Sequence, residues 1–259
     1  MKNNYMTLLA ASLCASVAGC GGGTSTSDNG QSASTPAPAI VDNVLMSSGS
    51  AANGLVVSIN HDGYIRAFGT GTDQPLTIGL GTTPVTGNLG SATGNGWLPS
   101  GSTFVQGSAT LSANSDAQTY TLKVQGGNIA GSESTLSLTG NLVKPTVASL
   151  AGTYGLSAYQ PVVISGTSIS GGYTLYCTWS ATLTPQTNTI DVTSIQFQSL
   201  PQQTGVPFIP CPYVGKTFTG TAFLLGPSAA YPKGVFVMNW DDGGSTMPTT
   251  IGEQYFPRQ

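Results

Sequence analysis

The sequence predicts an all-β protein made of two consecutive antiparallel β units, each a sandwich or a small, partly closed barrel. Three observations carry this reading. Apolar residues recur with a period of two from Val44 onward, as strands with one buried and one wet face require. The 259 residues include 35 glycines and 16 prolines, which suit short strands joined by tight turns and suit helices badly. Beyond the N-terminal apolar run, no segment shows an amphipathic helical period.

The elements follow in chain order. Met1-Lys2, a short polar stretch and the apolar run Leu8 to Ala18 have the layout of a secretory leader over residues 1–19, too short to span a bilayer. The run closes on Val17-Ala18-Gly19-Cys20, followed by Gly21-Gly22-Gly23. This resembles the bacterial lipobox, which implies lipidation of Cys20. In Gram-negative lipoproteins an Asp after that cysteine retains the protein at the inner membrane. Gly21 therefore implies the outer membrane, reached through the lipid anchor alone. Residues 20–43 read as a tether of Gly, Ser and Thr that stiffens at Pro36 and Pro38. Such a chain would hold the body roughly 25 Å from its anchor.

The first β unit is expected over 44–145. Leu55 to Ile59 and Tyr64 to Phe68 flank Asn60-His61-Asp62-Gly63, a hairpin signal because Asp-Gly accepts positive φ. Thr103 to Ser112 and Gln118 to Gln125 form a second pair, with Tyr120, Leu122 and Val124 on one face. Leu136, Leu138 and Leu142 continue the pattern until Lys144-Pro145 breaks it.

The second unit is expected over 146–259 and contains the strongest strand. Tyr173, Leu175, Cys177, Trp179, Ala181 and Leu183 share one face, and Thr174, Tyr176, Thr178, Ser180 and Thr182 share the other. Phe218 to Leu225 and Val235 to Trp240 complete the set. Ser108-Ala109-Thr110-Leu111 recurs as Ser180-Ala181-Thr182-Leu183, and Leu122-Lys123-Val124-Gln125 matches Ile195-Gln196-Phe197-Gln198. One extra residue falls between Val192 and Ile195, where a β-bulge would put it. If these matches mark a duplication, the two units divide near residue 145.

Leu150-Ala151-Gly152-Thr153-Tyr154, Cys177-Thr178-Trp179-Ser180, Cys211 and Phe218-Thr219-Gly220-Thr221-Ala222 resemble a group of uncharacterised proteobacterial outer-membrane lipoproteins with two β-rich halves. The Pro-rich insert from Leu200 to Pro212 departs from them. The resemblance implies an address and an architecture and no activity.

Composition excludes some functions. Charged residues make up 7% of the chain, against about 25% in ordinary soluble domains. The net charge is −3, and the cations are scattered. Nucleic acid binding needs clustered cations to displace counterions, so no nucleic acid partner is expected. Cys14 leaves with the leader and Cys20 is the anchor, so Cys177 and Cys211 remain to pair as a disulfide in an exported chain. That bridge would constrain the unfolded chain by roughly 4 kcal/mol in the loop-entropy model. The redox alternative lacks a Cys-x-x-Cys and a flanking cation.

No catalytic set, metal site or cofactor is expected. His61, the single histidine, sits in a hairpin turn, and with Asp62 it offers too few metal ligands. Gly166-Thr167-Ser168-Ile169-Ser170 lacks the final glycine of a nucleophile elbow. Asp241-Asp242-Gly243-Gly244 reads as turn chemistry, although paired carboxylates also serve acid–base work. Aromatics in or near turns, or on the polar face of a strand, are the remaining lead. Tyr64, Trp97, Tyr159, Tyr176, Tyr213 and Tyr231 qualify, with Trp97, Tyr176 and Tyr213 chosen as candidate binding residues for a protein or carbohydrate. The expected function is thus a lipid-anchored outer-membrane protein with a non-catalytic binding or structural role. The alternatives are an envelope-polymer hydrolase using Asp residues and a periplasmic assembly factor.

Overall fold

The computed structural model describes residues 42–47, 55–69, 78–80, 91–100, 103–114, 118–126, 133–155, 161–172, 176–201, 208–243 and 251–259. The leader, Cys20, the tether as far as residue 41, Tyr159 and residues 173–175 lie outside them.

Eight strands form the first unit: β1 (Asn43–Ser47), β2 (Leu55–Ile59), β3 (Ile65–Gly69), β4 (Ile78–Leu80), β5 (Ser91–Ser100), β6 (Thr103–Ala113), β7 (Thr119–Gln125) and β8 (Glu133–Leu138). Each pairs antiparallel with its neighbour in the chain. β1 also returns to β8, placing Leu45 opposite Leu138 and Ser47 opposite Leu136, which closes the barrel. The β2–β3 hairpin turns where the sequence predicts it. Gly63 takes φ 79° and its N–H donates to the Asn60 carbonyl at 3.0 Å.

Lys144-Pro145 interrupts the strands as expected. β9 (Leu142–Val143) precedes it, and the single helical turn α1 (Val147–Leu150) follows, capped reciprocally by Thr146 and Ser149. The second unit then runs through β10 (Gly152–Tyr154), β11 (Val162–Ser165), β12 (Ser168–Gly172), β13 (Cys177–Pro185), β14 (Ile190–Ser199), β15 (Phe218–Leu225), β16 (Val235–Asp241) and β17 (Ile251–Pro257). These strands also pair in chain order. Their ends meet at a bridge between Tyr154 and Arg258, where Gly155 N–H donates to the Pro257 carbonyl at 2.8 Å. The second barrel is therefore nearly closed. Up-and-down pairing lets a twisted sheet curl onto itself, so the structure takes the barrel rather than the sandwich.

In the described part of β13 the predicted alternation holds: Cys177, Trp179, Ala181 and Leu183 are buried, and Ser180, Thr182 and Thr184 are exposed. The expected bulge is present in β14. Ser180 faces Gln196 and Thr182 faces Thr193, which leaves β14 one residue longer, and Ser194 takes φ 54°. The short repeats land on paired neighbours in both barrels, but not on equivalent strands. They occupy β6 and β7 in one barrel and β13 and β14 in the other, and Ser108 faces Gln125 whereas Ser180 faces Gln196.

Both interiors are filled by side chains. Leu45, Val57, Ile59, Leu111, Tyr120 and Leu122 are among those in the first. The second is aromatic, with Tyr154, Trp179, Phe197, Phe218, Phe236, Trp240 and Phe256. Gly220 faces Trp240 across β15 and β16, and a Cβ there would lie 2.2 Å from the Asn239 carbonyl oxygen. Only glycine fits against that stretch of the β16 backbone.

β16 departs from the half-wet pattern, because every residue from Val235 to Asp241 is buried. Its inward face meets the second barrel's core. Its outward face packs on β1 and β2, where Val44 and Val56 join Phe223, Val235 and Val237 in a separate apolar cluster. The two barrels therefore share a buried seam, formed by the outer face of β1–β3 against that of β14–β16.

Candidate functional site

Two places draw together side chains that are not simply core: the seam, and the loop between β14 and β15.

The polar half of the seam is assembled in rows. In the first barrel Ser58 pairs with Arg66 across β2 and β3. In the second, Asp191, Thr221 and Asn239 stand side by side on β14, β15 and β16. Arg66 Nε and Nη2 each reach Asp241 Oδ2 at 3.0 Å, and Nη1 donates to Thr221 Oγ1 at 2.7 Å. Asn239 Nδ2 donates to Ser58 Oγ at 2.9 Å. Both charges of the Arg66–Asp241 pair are almost fully buried, with side-chain exposures of 5% and 2%. Such a pair fixes one docking geometry, because any slip strands a charge out of water. The Tyr64 ring lies 4.2 Å from the guanidinium carbon, and burial pushes its hydroxyl up to about 12, with Asp241 adding to the rise and Arg66 opposing it.

The same seam ends at the β13–β14 turn. The Asp42 carboxylate accepts from the backbone N–H groups of Asn188 and Thr189 at 2.9 Å each, and from the Thr189 hydroxyl. Beside it His61 reaches across from the β2–β3 turn. Its Nδ1 lies 2.7 Å from Asp191 Oδ2 and its Nε2 lies 3.0 Å from Asp62 Oδ1. Gln186 Nε2 donates to the same Asp191 oxygen at 2.6 Å. Burial holds the Asp191 carboxyl above the usual carboxylate range. Gln186 and His61 pull it down, and Asp62 and Asp42 push it up.

The second place is the opposite end of the β13–β14 hairpin. Cys177, the first residue of β13, is disulfide-bonded to Cys211, with Cα atoms 5.1 Å apart. Leu200 N–H donates to the Tyr176 carbonyl at 2.9 Å, and Cys211 N–H donates to Ser199 Oγ at 2.9 Å. Tyr213 anchors the loop further by packing on Phe197 and Phe218. Among the described residues around the bridge, large apolar side chains stand exposed: Phe208 is 50% exposed, Ile209 44%, Val214 54% and Tyr176 39%. No charged residue occurs from 192 to 215. Pro210 and Pro212 flank Cys211, so the chain around the bridge is stiff as well as pinned.

The structure sorts the sequence-predicted residues. Cys177 and Cys211 come together, and Tyr176 stands exposed beside them. Tyr213 is half-buried as an anchor, not displayed. Tyr231 packs on the seam cluster and Tyr64 sits under Arg66, so both serve the junction of the barrels. Trp97 lies on β5 opposite Gln106, and its side chain lies outside the described set. Asp241 corrects an expectation, since it is the last residue of β16 and not part of a turn, and it faces Arg66 because strand alternation sets it opposite Trp240. Asp242 pairs with Lys216 at 3.2 Å, and Glu133 with Lys123 at 3.1 Å. Arg66, Asn239 and Asp191 were missed. Each lies on an outward strand face, which alternation alone marks as wet.

Among the described residues, no group of His, Cys, Asp and Glu is placed to hold a metal ion, and no helix is long and apolar enough to cross a membrane. A shallow groove of about 350 Å³ runs along Tyr231, Pro232, Lys233 and Arg258. Arg258 is engaged there with the Ala151 carbonyl at 2.9 Å. Comparison with protein-family models, curated proteins and solved structures gave no match.

Proposed function

We propose that the chain is a lipid-anchored lipoprotein of the outer membrane that acts by non-catalytic binding, presenting the disulfide-pinned loop at Phe208, Ile209 and Val214 to a protein partner. The observation that carries this is the separation of the two ends. The chain enters the body at Asp42, which is fastened to the β13–β14 turn. The exposed loop sits at the far end of the same hairpin. β13 spans 9 residues between them, about 30 Å at the rise of a strand. A lipid at Cys20 would tether the chain through the end that carries Asp42, opposite the end of the hairpin that carries the apolar loop.

The composition agrees with such a role. Large apolar side chains displayed on a rigid support are costly to keep in water and suit a buried contact. The Pro residues and the disulfide lower the ordering entropy lost on binding. The carboxylates that a hydrolase would need are engaged elsewhere, Asp241 by Arg66 and Asp242 by Lys216.

Two readouts on one set of cells test the proposal. Metabolic labelling with a palmitate analogue should mark the chain and fail on Cys20→Ala. Protease added to intact cells, with permeabilised cells as control, should cut the exposed loop only from the side on which it is displayed. An unlabelled wild-type chain would sink the anchor. A loop resistant to protease from both sides would sink its role as a displayed surface.

A further inference from the structure

We propose that the groove between the β15–β16 turn and the end of β17 binds a small anionic saccharide, a sugar acid or a sugar phosphate. Its charged group meets Lys233 and Arg258, and its ring lies on Tyr231, Pro232 and Pro257. The groove encloses about 350 Å³, at the lower end of the range for small-molecule sites.

Charge carries the inference. Three cations are matched by carboxylates: Arg66 by Asp241, Lys123 by Glu133 and Lys216 by Asp242. Among the described residues, Lys144, Lys233 and Arg258 have no carboxylate partner. Two of these three line this groove. Like charges gathered in one concavity repel, and an anion between them turns that repulsion into attraction.

The backbone holds the site ready. Arg258 N–H donates to the Gly234 carbonyl at 3.0 Å, and Gly234 N–H donates to the Tyr231 carbonyl at 2.9 Å. Tyr231 N–H donates in turn to Ser228 Oγ at 3.1 Å. The Arg258 side chain is oriented as well: Nη2 donates to the Ala151 carbonyl at 2.9 Å, and the guanidinium carbon lies 5.7 Å from the centre of the Tyr154 ring. A guanidinium carries five N–H donors, so the fork keeps donors for a carboxylate or phosphate, whose geometry it matches. Lys233 is exposed and adds a point charge on a flexible stem.

The floor selects the rest of the ligand. Tyr231 is half-buried and packs on the seam cluster, and Pro232 and Pro257 add rigid apolar rings beside it. Such a surface takes the C–H face of a sugar ring. An anionic membrane offers the same kind of charge, but the chain's net charge of −3 opposes approach to a surface of like sign. A small anion needs only the two cations of the groove.

The test follows the backbone amide signals of Gly234 and Arg258 in the full-length chain by NMR as glucuronate, glucose 6-phosphate or glucose is added. The anionic sugars should shift these signals saturably, with dissociation constants of about 1–10 mM, and glucose should bind at least about ten-fold more weakly. The tighter of the two anions tells a carboxylate site from a phosphate site. Lys233→Gln, a change at an exposed side chain, should weaken that anion about three- to ten-fold, and Lys233→Glu should abolish its binding. Raising the ionic strength from about 0.05 M to about 0.5 M should weaken it several-fold. No saturable shift from either anion below about 50 mM, equal affinity for glucose, or unchanged affinity in Lys233→Gln would each overturn the site. The groove shares no residue with the lipid anchor or the disulfide loop, so this outcome is independent of the labelling and protease readouts.

Discussion

At the scale of single residues, the seam is decided by a few polar side chains that had to leave water together. Arg66 donates to Asp241, Thr221 and the Thr219 carbonyl, which meets most of the guanidinium's donor capacity. Removing one partner of a buried pair leaves the other charge uncompensated, and this costs about 3–5 kcal/mol. Arg66→Ala should therefore lower the unfolding free energy by about that amount in urea titrations. The paired change Arg66→Met with Asp241→Leu should recover most of it, because apolar groups of similar volume suffer no such desolvation. A single Arg66→Ala within experimental error of wild type would show that water reaches Asp241. Gly220 works at the same scale by a different cause, since its missing Cβ is the space that Trp240 and the β16 backbone occupy.

The β13–β14 hairpin sets the geometry at the scale of elements. Its turn receives Asp42 and its open end receives the disulfide loop, so one hairpin aligns the chain entry with the displayed surface. The bulge at Ser194 lets β14 curve while keeping Phe197 inward, so that it reaches Phe218 at 5.3 Å and Trp240 at 6.3 Å. The disulfide closes a loop of 34 residues in sequence separation, and its removal should cost about 2–4 kcal/mol. Cys177→Ala combined with Cys211→Ala should lower the denaturation midpoint accordingly. It should also raise protease sensitivity at 208–215, because the loop then keeps only the packing of Tyr213 and the backbone bond from residue 211 to Ser199. Unchanged cleavage in the double variant would mean that Tyr213 and the bond to Ser199 hold the loop without the bridge.

Across the whole molecule, two barrels behave as one body because their outer faces are each other's solvent. Val44, Val56, Phe223, Val235 and Val237 are all buried there, and a barrel expressed alone would present that strip to water. Calorimetry on the wild type should show one unfolding transition. Val237→Asp sets an unpaired carboxylate into the apolar strip, a burial too costly to keep. It should split the transition in two, with each barrel melting on its own. Two transitions in the wild type would show that the seam does not couple them.

Much of the architecture was legible in the chain. Strict alternation around Trp179 marked β13, Asp62-Gly63 marked the first hairpin, and the slipped period between Val192 and Ile195 marked the bulge. These signals are local, set by which way each side chain points along a strand. The pairing of Cys177 with Cys211 was reachable by elimination, and Tyr176, just ahead of β13, is exposed as the alternation placed it. Alternation cannot say what lies beyond the outer face, however. Val235-Phe236-Val237-Met238 was a continuous apolar run whose second buried face could have been suspected, but not its partner. The meeting of Arg66 with Asp241 and the reach of His61 to Asp191 join positions 175 and 130 residues apart in the chain, and closure of the first barrel joins Leu45 to Leu138. Such contacts are fixed by how two curled sheets dock. The sequence alone determined where strands run and which side of each is apolar. Only the tertiary structure decided which outer faces meet, because that choice depends on the simultaneous fit of an apolar strip and a row of buried charges.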